Sequence, residues 1–420
     1  MVNTNPYDFT LFAYNLTLIP MLFFSILFLI LTLVNLLVDR EHRNYKKPKQ
    51  FPFITVQIPT FNDPIAVRCV ERCIKFDYPS DKYEIIIVDD STNIETQCML
   101  KKFSEDYPNL IKYIHRNNRE GFKPGALKNA MRITKGEIIV IFDSDWIPRK
   151  NFLRKIVRPF ADPKVAIVQT RQGFYNKNVN IITRFASYLL TIYYTIIMPI
   201  NNRVNCVFFC GTSGAIRRSA FVDVGGWNIN SVTEDSDLSV RILMKGYKTV
   251  YLDYATPSEV PETFEAFIKQ QMRWCYGNAR VFFDNAWKIL FGKELNLRQK
   301  FMIVFITLAN SSTFVVLAMT LFGLAGWFLG EPKLFTFGDL LIILYRFMIA
   351  GGFAFAGIVT LLKRKQLNEL FYFIFSVLTM GMILCVVNAI AFYKSFMNQK
   401  LSWFCTPKTA NSEILKNDSS

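Results

Sequence analysis

The sequence predicts an α/β domain with a mostly parallel sheet, flanked along the chain by transmembrane and interfacial helices. Three observations support this fold class. Short β-branched apolar runs alternate with amphipathic stretches between about residues 53 and 300. Uncharged segments long enough to cross a bilayer precede and follow that region. Of the 420 residues, 51% are hydrophobic and 20% charged, which is too apolar for an ordinary soluble protein and too charged for membrane helices alone.

The N-terminal segment predicts a retained transmembrane anchor, which we assign to residues 1–40. Residues 16–38 carry no charge, exceed the length of a signal peptide and are not followed by a small-residue cleavage site. A basic cluster comes next, at Arg40, Arg43, Lys46, Lys47 and Lys49. Because basic flanks favour the cytoplasmic side, the domain that follows is expected in the cytoplasm.

The composition also narrows the chemistry. The net charge of +16 comes without any nucleic-acid-binding motif, so it favours anionic lipid over nucleic acid as a partner. The chain has two histidines, His42 and His115, which argues against Ser-His-Asp or Cys-His catalysis. The eight cysteines lack a clustered histidine and are better explained as buried thiols than as zinc ligands. The composition therefore favours catalysis by carboxylates and a metal ion.

The α/β domain is assigned to residues 50–298. Strands are predicted at 53–58, where Pro59 ends the run, at 84–88, at 137–142 and at 166–169. Helices are predicted at 66–75, 96–105 and 125–133. Continuous apolar strands between amphipathic helices indicate a mostly parallel sheet covered on both faces. In such sheets, ligands bind beyond the carboxyl ends of the strands.

Apolar segments inside and after the domain complete the organisation. Residues 180–200 are interrupted by Arg184 and fit a core helix or a membrane-interface helix, of which we favour the second. Residues 299–396 contain apolar stretches at 301–329, 340–362 and 370–392. The first two fit a hairpin through the bilayer. The third is expected at the interface, because spanning would place the lysine-containing tail outside.

Asp143-Ser144-Asp145 follows the third predicted strand and is a candidate metal site. Strand alternation would place residues i and i+2 on one side, so both carboxylates could bind one hard cation together with a diphosphate. The alternative is an exposed acidic turn, which the preceding apolar strand and the following Trp146 disfavour.

Two other strand ends and a helix start carry candidate nucleotide-binding residues. Thr60 follows the first strand, and Asp89 and Asp90 follow the second. A carboxylate there can bind a base or a ribose, but Asp, Ser and Thr are also common turn and cap residues. Lys123 follows Gly121 at a helix start, where backbone amides and an ammonium group suit phosphate. An ordinary capped helix explains it equally well.

The remaining candidates lie on two predicted helices. Thr233 can cap a helix that Gly246 ends, and Asp235 in its first turn is a candidate general base. Acids in a first turn also simply complement the helix dipole. Gln270, Arg273 and Trp274 share one face of a helix that starts near Thr263, where an indole can stack on a sugar and a guanidinium can hold phosphate.

Together these motifs resemble the processive family-2 glycosyltransferases, which are inverting enzymes of GT-A fold that include cellulose, hyaluronan and mannan synthases. The resemblance covers residues 53–277 and rests on VQIPTFND, YPSDKYEIIIVDDST, NNREGFKPGALKNAM, FDSDWIP, FCGTSGAIRR, TEDSDL and QQMRWCYGN. These segments look most like the plant cellulose-synthase-like A and C group, which makes glucomannan or xyloglucan-type β-glucan backbones.

The resemblance implies roles for the donor side of the site. Thr60 and one of the pair Asp89-Asp90 contact the nucleoside, and Lys123 reaches the diphosphate. Asp143 and Asp145 hold the diphosphate and its Mg²⁺ or Mn²⁺.

It also implies roles for the acceptor side. Residues 209–212 line the acceptor site, and Asp235 is the catalytic base. Gln270, Arg273 and Trp274 bind the acceptor terminus and the leaving diphosphate. Residues 403–408 look like a gating loop, which favours a cytoplasmic tail at 397–420.

The leading hypothesis is a membrane-bound, metal-dependent inverting hexosyltransferase. Its donor would be a nucleotide-diphosphate sugar of the UDP-glucose or GDP-mannose type, and its product a β-linked polysaccharide. Because the chain has fewer membrane helices than cellulose synthase, a glycolipid synthase with a lipid acceptor is the alternative. A catalytically silent nucleotide-binding scaffold is a third hypothesis, against which the intact motifs argue. The oligomeric state stays open, a homo-oligomer included.

Overall fold

The computed structural model describes residues 5–37, 45, 47–330 and 351–401. In this part of the chain, seven strands form one sheet in the order β3-β2-β1-β4-β6-β5-β7. The strands are β1 (Ile54–Thr60), β2 (Tyr83–Asp89), β3 (Ile111–His115), β4 (Ile138–Ile141), β5 (Val165–Phe174), β6 (Gly214–Arg217) and β7 (Lys248–Ser258). Neighbours pair in parallel except at β6, which is antiparallel to both β4 and β5.

Helices cover the sheet and extend beyond it. Those before residue 210 are α1 (Pro6–Leu37), α2 (Ala66–Ile74), α3 (Ile94–Asp106), α4 (Phe122–Ala130), α5 (Phe152–Ile156), α6 (Ile181–Ile192) and α7 (Met198–Arg203). Those after it are α8 (Arg218–Asp223), α9 (Glu234–Met244), α10 (Phe264–Phe291), α11 (Leu297–Leu308), α12 (Ser312–Leu329), α13 (Gly352–Lys363) and α14 (Leu370–Phe396).

The predicted strands are present, with shifted ends. β1 continues through Pro59, because its parallel pairing with β2 runs on until Thr60 faces Asp89. The first two strands are buried along their whole length, as their continuous apolar sequence indicated. The prediction omitted β3, β6 and β7. Two of these are only partly buried, and β6 is four residues long, so each has a weak hydrophobic pattern.

The register of the sheet brings separate sequence motifs to one edge. Thr60 at the end of β1 faces Asp89 of β2, which in turn faces His115 of β3. Ile141 at the end of β4 faces Gly214 at the start of the antiparallel β6. The loops that follow β1, β2 and β4 and the loop that precedes β6 therefore share this edge, where the candidate donor-binding residues lie.

Residues 180–203 form one irregular helical unit between the sheet and the C-terminal helices. α6 continues through a π-helical turn, Tyr193–Ile197, into α7. Arg184, which interrupts the apolar sequence, pairs at 2.5 Å with Glu369 at the start of α14, and the hydroxyl of Tyr188 donates to the same carboxylate at 2.7 Å. Contacts within the protein thus explain the charged Arg184 in this apolar segment. The expected position of residues 180–200 at a membrane interface stays a prediction.

Among the described residues, four helical segments are long and apolar enough to cross a membrane: Pro6–Leu37, Ile181–Arg203, Leu297–Leu329 and Leu367–Phe396. The first lies within the anchor predicted at residues 1–40 and begins before residue 16, where the apolar run was expected to start. α1 packs against α12 and α13. Residues 340–350 of the second predicted C-terminal stretch, most of the basic cluster and the gating-loop-like residues 403–408 lie outside the described residues.

α14 runs parallel to α10 and beside it. The thiol of Cys275 lies 3.4 Å from the carbonyl oxygen of Asn388, and Arg280 Nη1 donates to the carbonyl oxygen of Ser395 at 3.2 Å. Further along, the rings of Phe283 and Phe396 are 5.9 Å apart. The last apolar segment is therefore attached along its length to a helix of the α/β domain.

Close packing of α13 on α14 generates a stability prediction. A β-carbon on Gly357 would overlap the ring of Phe373, which is 1% exposed and has no space to move. Overpacking of this kind typically costs about 1–3 kcal/mol. We expect Gly357→Ala to lower the thermal unfolding midpoint of the detergent-purified protein. Gly381→Ala is the matched control, because its β-carbon would meet only Val377 at 3.9 Å. An equal midpoint for the two variants would contradict the packing.

Candidate active site

Lys123 is the centre of the candidate site. α4 begins at Phe122 after Gly121, which has a φ of 68°, so the lysine lies in the first helical turn. The helix starts before residue 125, the predicted start. The ammonium group of Lys123 donates to the carbonyl oxygen of Gly211 at 3.0 Å and lies 2.6 Å from Oδ1 of Asp143. Three separate segments of the chain thus meet at this lysine.

Gly211 brings the loop before β6 between the lysine and the candidate base. Its φ of 78° is in the left-handed region, which favours glycine. A β-carbon there would lie 3.0 Å from Oδ2 of Asp235 and 3.5 Å from Nζ of Lys123. The next residue, Thr212, accepts a hydrogen bond from the backbone N–H of Asp143 at 2.9 Å. The predicted acceptor stretch 209–212 is therefore next to the predicted base and the predicted diphosphate-binding residues.

Charges of both signs are held together at this point. Burial raises the pKa of Glu234 to about 7, and the neighbouring Asp235 adds to the rise while Lys123 and Arg273 oppose it. Burial also raises the pKa of Asp235, against the Ser236 N–H and the same two cations. Burial alone would lower the pKa of Lys123, but the carboxylates of Asp143 and Glu234 outweigh it and raise that pKa. The sequence motif contained Glu234 without indicating this coupling.

Asp143 and Asp145 do not follow the strand geometry expected of them. β4 ends at Ile141, and the two residues lie in a turn closed by a hydrogen bond from the Trp146 N–H to the Asp143 carbonyl. Strand alternation therefore does not align the two carboxylates, and the prediction that it would is wrong. The Asp143 side chain is 29% exposed beside Lys123. Asp145 is 2% exposed, and its Oδ2 accepts the backbone N–H of Glu259 at 3.0 Å.

This donor set is compatible with a divalent cation. Among the described residues, no group of three or more His, Cys, Asp or Glu side chains is arranged to hold a metal. Mg²⁺ commonly binds one or two carboxylates and takes its other ligands from substrate phosphates and water. The partly exposed Asp143, with Asp145 two residues further on, fits that pattern of a site completed by a diphosphate.

Asp89 and Asp90 already have protein partners. The hydroxyl of Tyr113 donates to Asp89 Oδ2 at 2.7 Å, and Asp89 Oδ1 accepts the Ser91 N–H at 2.9 Å. Asp90 forms a bidentate pair with Arg116, whose Nε lies 2.6 Å from Oδ1. Arg116 also donates to the backbone carbonyls of Glu120 and Phe122, so Asp90 helps to hold the start of α4. A nucleoside contact by either aspartate stays a prediction.

The acceptor-side residues lie on α10. Thr263, near which the helix was predicted to start, caps it by accepting from the Ala266 N–H at 3.3 Å. The spacing of Gln270, Arg273 and Trp274 places them along one helical face, and Arg273 is close enough to lower the pKa values of Glu234 and Asp235 on α9.

Three buried oxygens near these motifs have no hydrogen-bond partner within the part of the chain that the structure describes. They are Oγ1 of Thr60, Oγ1 of Thr233 and Oε1 of Gln270. Buried polar atoms in proteins are usually satisfied, so an exception at a motif residue makes that atom a candidate ligand contact. Each of the three belongs to a motif that the sequence singled out.

A glycine lets α10 approach the acidic turn. A β-carbon on Gly277 would overlap the side chain of Thr233, the residue before the acidic pair. Next to it, Ser236 Oγ lies 2.7 Å from Oδ1 of Asn278. These contacts set the separation between α9 and α10, and hence between the candidate base and the acceptor-side face. The sequence contained Gly277 in its QQMRWCYGN motif, but helical periodicity alone gives it no role.

A mostly parallel sheet with a lysine, acidic residues and an arginine at its carboxyl edge agrees with the GT-A fold that the sequence predicts. Residues 138–394, more than half of the chain, match the family model described as Glycosyl transferase family group 2. The chain belongs to this family, so the resemblance seen in the motifs is confirmed.

Relatives that match the chain include plant mannosyltransferases. It is 35% identical over 270 residues to a probable glucomannan 4-beta-mannosyltransferase 2 of Oryza sativa subsp. japonica, with 61% of this chain and 46% of the relative covered. It is 32% identical over 298 residues to glucomannan 4-beta-mannosyltransferase 2 of Arabidopsis thaliana, with 66% and 56% covered. The chain thus spans about half the length of these relatives.

A solved structure shares the fold over most of the chain. The mannosyltransferase PcManGT from Pyrobaculum calidifontis, in complex with GDP-Man and Mn²⁺, superimposes with a TM-score of 0.63 at 18% identity. The match covers 92% of this chain and 99% of that one. The predicted GT-A fold is confirmed.

The contact of Gly277 with Thr233 predicts that this position controls activity. We expect Gly277→Ala to push α10 away from α9 and to reduce sugar transfer by at least about tenfold, since misplacement by 1 Å can cost far more. Initial rates of transfer in membranes, normalised to folded protein, measure the effect. Gly381→Ala, a helical glycine with open surroundings, should keep its activity. Full activity of Gly277→Ala would mean that the contact does not position the site.

Proposed function

We propose that this protein is a membrane-bound, inverting hexosyltransferase that extends a β-linked polysaccharide from a nucleotide-diphosphate sugar. One observation carries the proposal: Lys123 contacts both the Gly211 carbonyl and Asp143, Asp235 lies beside Gly211, and Arg273 is close enough to lower the pKa of Asp235. The cationic side chains of Lys123 and Arg273 can bind a diphosphate. The partly exposed Asp235 can accept the proton that an attacking hydroxyl loses.

In the proposed reaction, the acceptor hydroxyl attacks the anomeric carbon of the donor sugar. A bond forms between the acceptor oxygen and that carbon as the bond from the carbon to the diphosphate breaks. Asp235 accepts the hydroxyl proton. Lys123 and Arg273 stabilise the negative charge that develops on the departing nucleotide diphosphate. Attack on the side opposite the leaving group inverts the anomeric configuration.

A divalent cation, Mg²⁺ or Mn²⁺, belongs to this proposal. Asp143 and Asp145 would hold it, and it would neutralise charge on the diphosphate. The ion pair between Lys123 and Asp143 orients the Asp143 carboxylate toward the proposed position of the diphosphate. The Mn²⁺ bound by the mannosyltransferase of the same fold supports this choice of cofactor.

The donor we propose is GDP-mannose, with UDP-glucose as the other candidate. The support is that the curated relatives are glucomannan 4-beta-mannosyltransferases and that the structural neighbour binds GDP-Man. Thr60, whose hydroxyl oxygen is buried without a partner among the described residues, is proposed to contact the nucleoside, together with Asp89 or Asp90.

The acceptor is proposed to bind along α10, at Gln270, Arg273 and Trp274. We place residues 50–298 in the cytoplasm, between an anchor at 1–40 and C-terminal membrane and interface helices at 299–396. The tail, 397–420, would also be cytoplasmic. The contacts of α14 along α10 support an interfacial position for that helix, since α10 carries the acceptor-side residues.

The test combines a donor panel with a product measurement. Membranes containing the protein are given labelled GDP-mannose, UDP-glucose and other UDP- and GDP-sugars, and the product is sized after solvent extraction. We expect GDP-mannose to yield a solvent-insoluble polymer. Asp235→Asn should reduce transfer by about 10²–10⁴-fold, the usual contribution of a general base, while donor binding stays near wild type.

The matched control for that variant is Asp106→Asn, which changes an exposed aspartate at the end of α3 and should be silent. A product consisting only of solvent-extractable monosaccharide-lipid would favour the glycolipid synthase. Donor binding without transfer of any sugar would favour the nucleotide-binding scaffold. Unchanged sugar transfer by Asp235→Asn would show that Asp235 is not the catalytic base.

The coupled acids predict a pH dependence. Because the pKa of Asp235 is raised, the base loses its charge, and transfer its rate, at a pH above the ordinary aspartate value of 3.8. Arg273→Gln removes a cation that lowers the pKa of Asp235, so we expect the acid limb of the kcat/KM profile to move to higher pH. Arg132→Gln, which changes an exposed arginine just after α4, is the control. An acid limb at the same pH in both variants would contradict this effect of Arg273 on Asp235.

A further inference from the structure

The end of α10 has features that the proposed reaction does not use. Trp287 is 76% exposed and Phe291 is 62% exposed, and their ring centroids are 4.2 Å apart. Large aromatic side chains are not normally left in water as an adjacent pair. Neither residue belongs to the motifs that meet at the candidate active site.

The aromatic pair borders a cavity that carries positive charge. The cavity has a volume of about 520 Å³ and lies between the C-terminal ends of α8 and α9 and the segment 287–295. Lys245, Lys288 and Lys293 line it, together with Arg241 and the acids Asp223 and Glu294. Asp223 lies 3.6 Å from the ammonium group of Lys245, and Arg241 pairs with Asp237. Lys288 and Lys293 are exposed, and against the single acid Glu294 they leave one net positive charge for a ligand.

The position of the cavity relates it to the bilayer. Leu297, which begins the apolar segment Leu297–Leu329, is 82% exposed and lies two residues after the buried Leu295 of the cavity wall. A segment that enters a membrane passes through the headgroup region first. Tryptophan is enriched at that depth, and lysines there are attracted to anionic lipid.

We propose that this cavity binds the phosphate headgroup of an anionic membrane lipid. In this arrangement Lys288 and Lys293 contact the headgroup, and Trp287 and Phe291 lie against the adjoining acyl chains. Both features are needed to select the ligand, because the lysines alone would accept any phosphate and the rings alone any apolar chain. Continuity with the apolar segment from Leu297 favours a lipid over a soluble anion.

A lipid bound there would also fix the end of α10. The same helix carries Gln270, Arg273 and Trp274 three to six turns earlier in the chain, so its anchoring at the bilayer would hold the acceptor-side face at a constant height above the membrane. This proposal concerns binding alone and holds whether or not the sugar-transfer reaction is the one described above.

The test reconstitutes the full chain in nanodiscs that contain lipids with brominated acyl chains, which quench nearby tryptophan fluorescence. The difference between wild type and Trp287→Phe isolates the signal of Trp287. We expect Trp287 to be quenched by brominated phosphatidylglycerol at a lipid fraction on the order of tenfold lower than by brominated phosphatidylcholine. Millimolar inorganic phosphate should not reverse the preference.

Charge reversal separates the headgroup contribution from simple proximity to the bilayer. Lys288→Glu with Lys293→Glu should abolish the preference, so that both brominated lipids quench Trp287 equally. The matched control is Lys101→Glu with Lys102→Glu, two exposed lysines on α3, which should keep it. An unquenched Trp287, equal quenching by the two lipids in wild type, or an unchanged preference in the Lys288 and Lys293 variant would each overturn the proposal. Reversal by inorganic phosphate would instead identify a soluble-anion site and reject the lipid.

Discussion

The electrostatic contact between Lys123 and its acidic neighbours is the interaction on which the site depends. An ammonium group held away from water needs negative charge nearby, and Asp143 and the acidic turn of α9 supply it. Those acids come from elements far apart in the chain, so the lysine brings the end of β4 and the start of α9 to one place. Gly211 makes the contact possible, because any side chain there would enter the space between the lysine and Asp235.

The same helices that build the site connect it to the apolar part of the molecule. α10 packs on the acidic turn through Gly277 and along α14 through Cys275 and Arg280. At the N-terminal end of α14, Glu369 pairs with Arg184 of α6. A shift of α14 would therefore move the face of α10 that carries Gln270, Arg273 and Trp274. The candidate active site and the apolar helices thus belong to one packed unit.

Local sequence patterns predicted the central strands well and the peripheral ones poorly. β1, β2 and β4 are buried on both faces, so their apolar runs are continuous and easily recognised. β3 and β7 are partly exposed, and β6 is short, so their patterns are diluted. The prediction that strand geometry aligns Asp143 and Asp145 was wrong for a related reason. Hydrophobicity marks where a strand is buried, but its hydrogen-bonded end at Ile141 depends on pairing with Gly214 of a distant segment.

By itself the sequence determined the order of the chemical motifs, their residue types, the α/β class and the presence of long apolar helices, because these follow from side-chain chemistry and local periodicity. Only the tertiary structure decided which groups meet. The raised pKa of Glu234, the pairing of Asp90 with Arg116 and the approach of Gly277 to Thr233 all arise between segments well separated along the chain or through burial. Distance and solvent exclusion are properties of the folded chain, and no local pattern contains them.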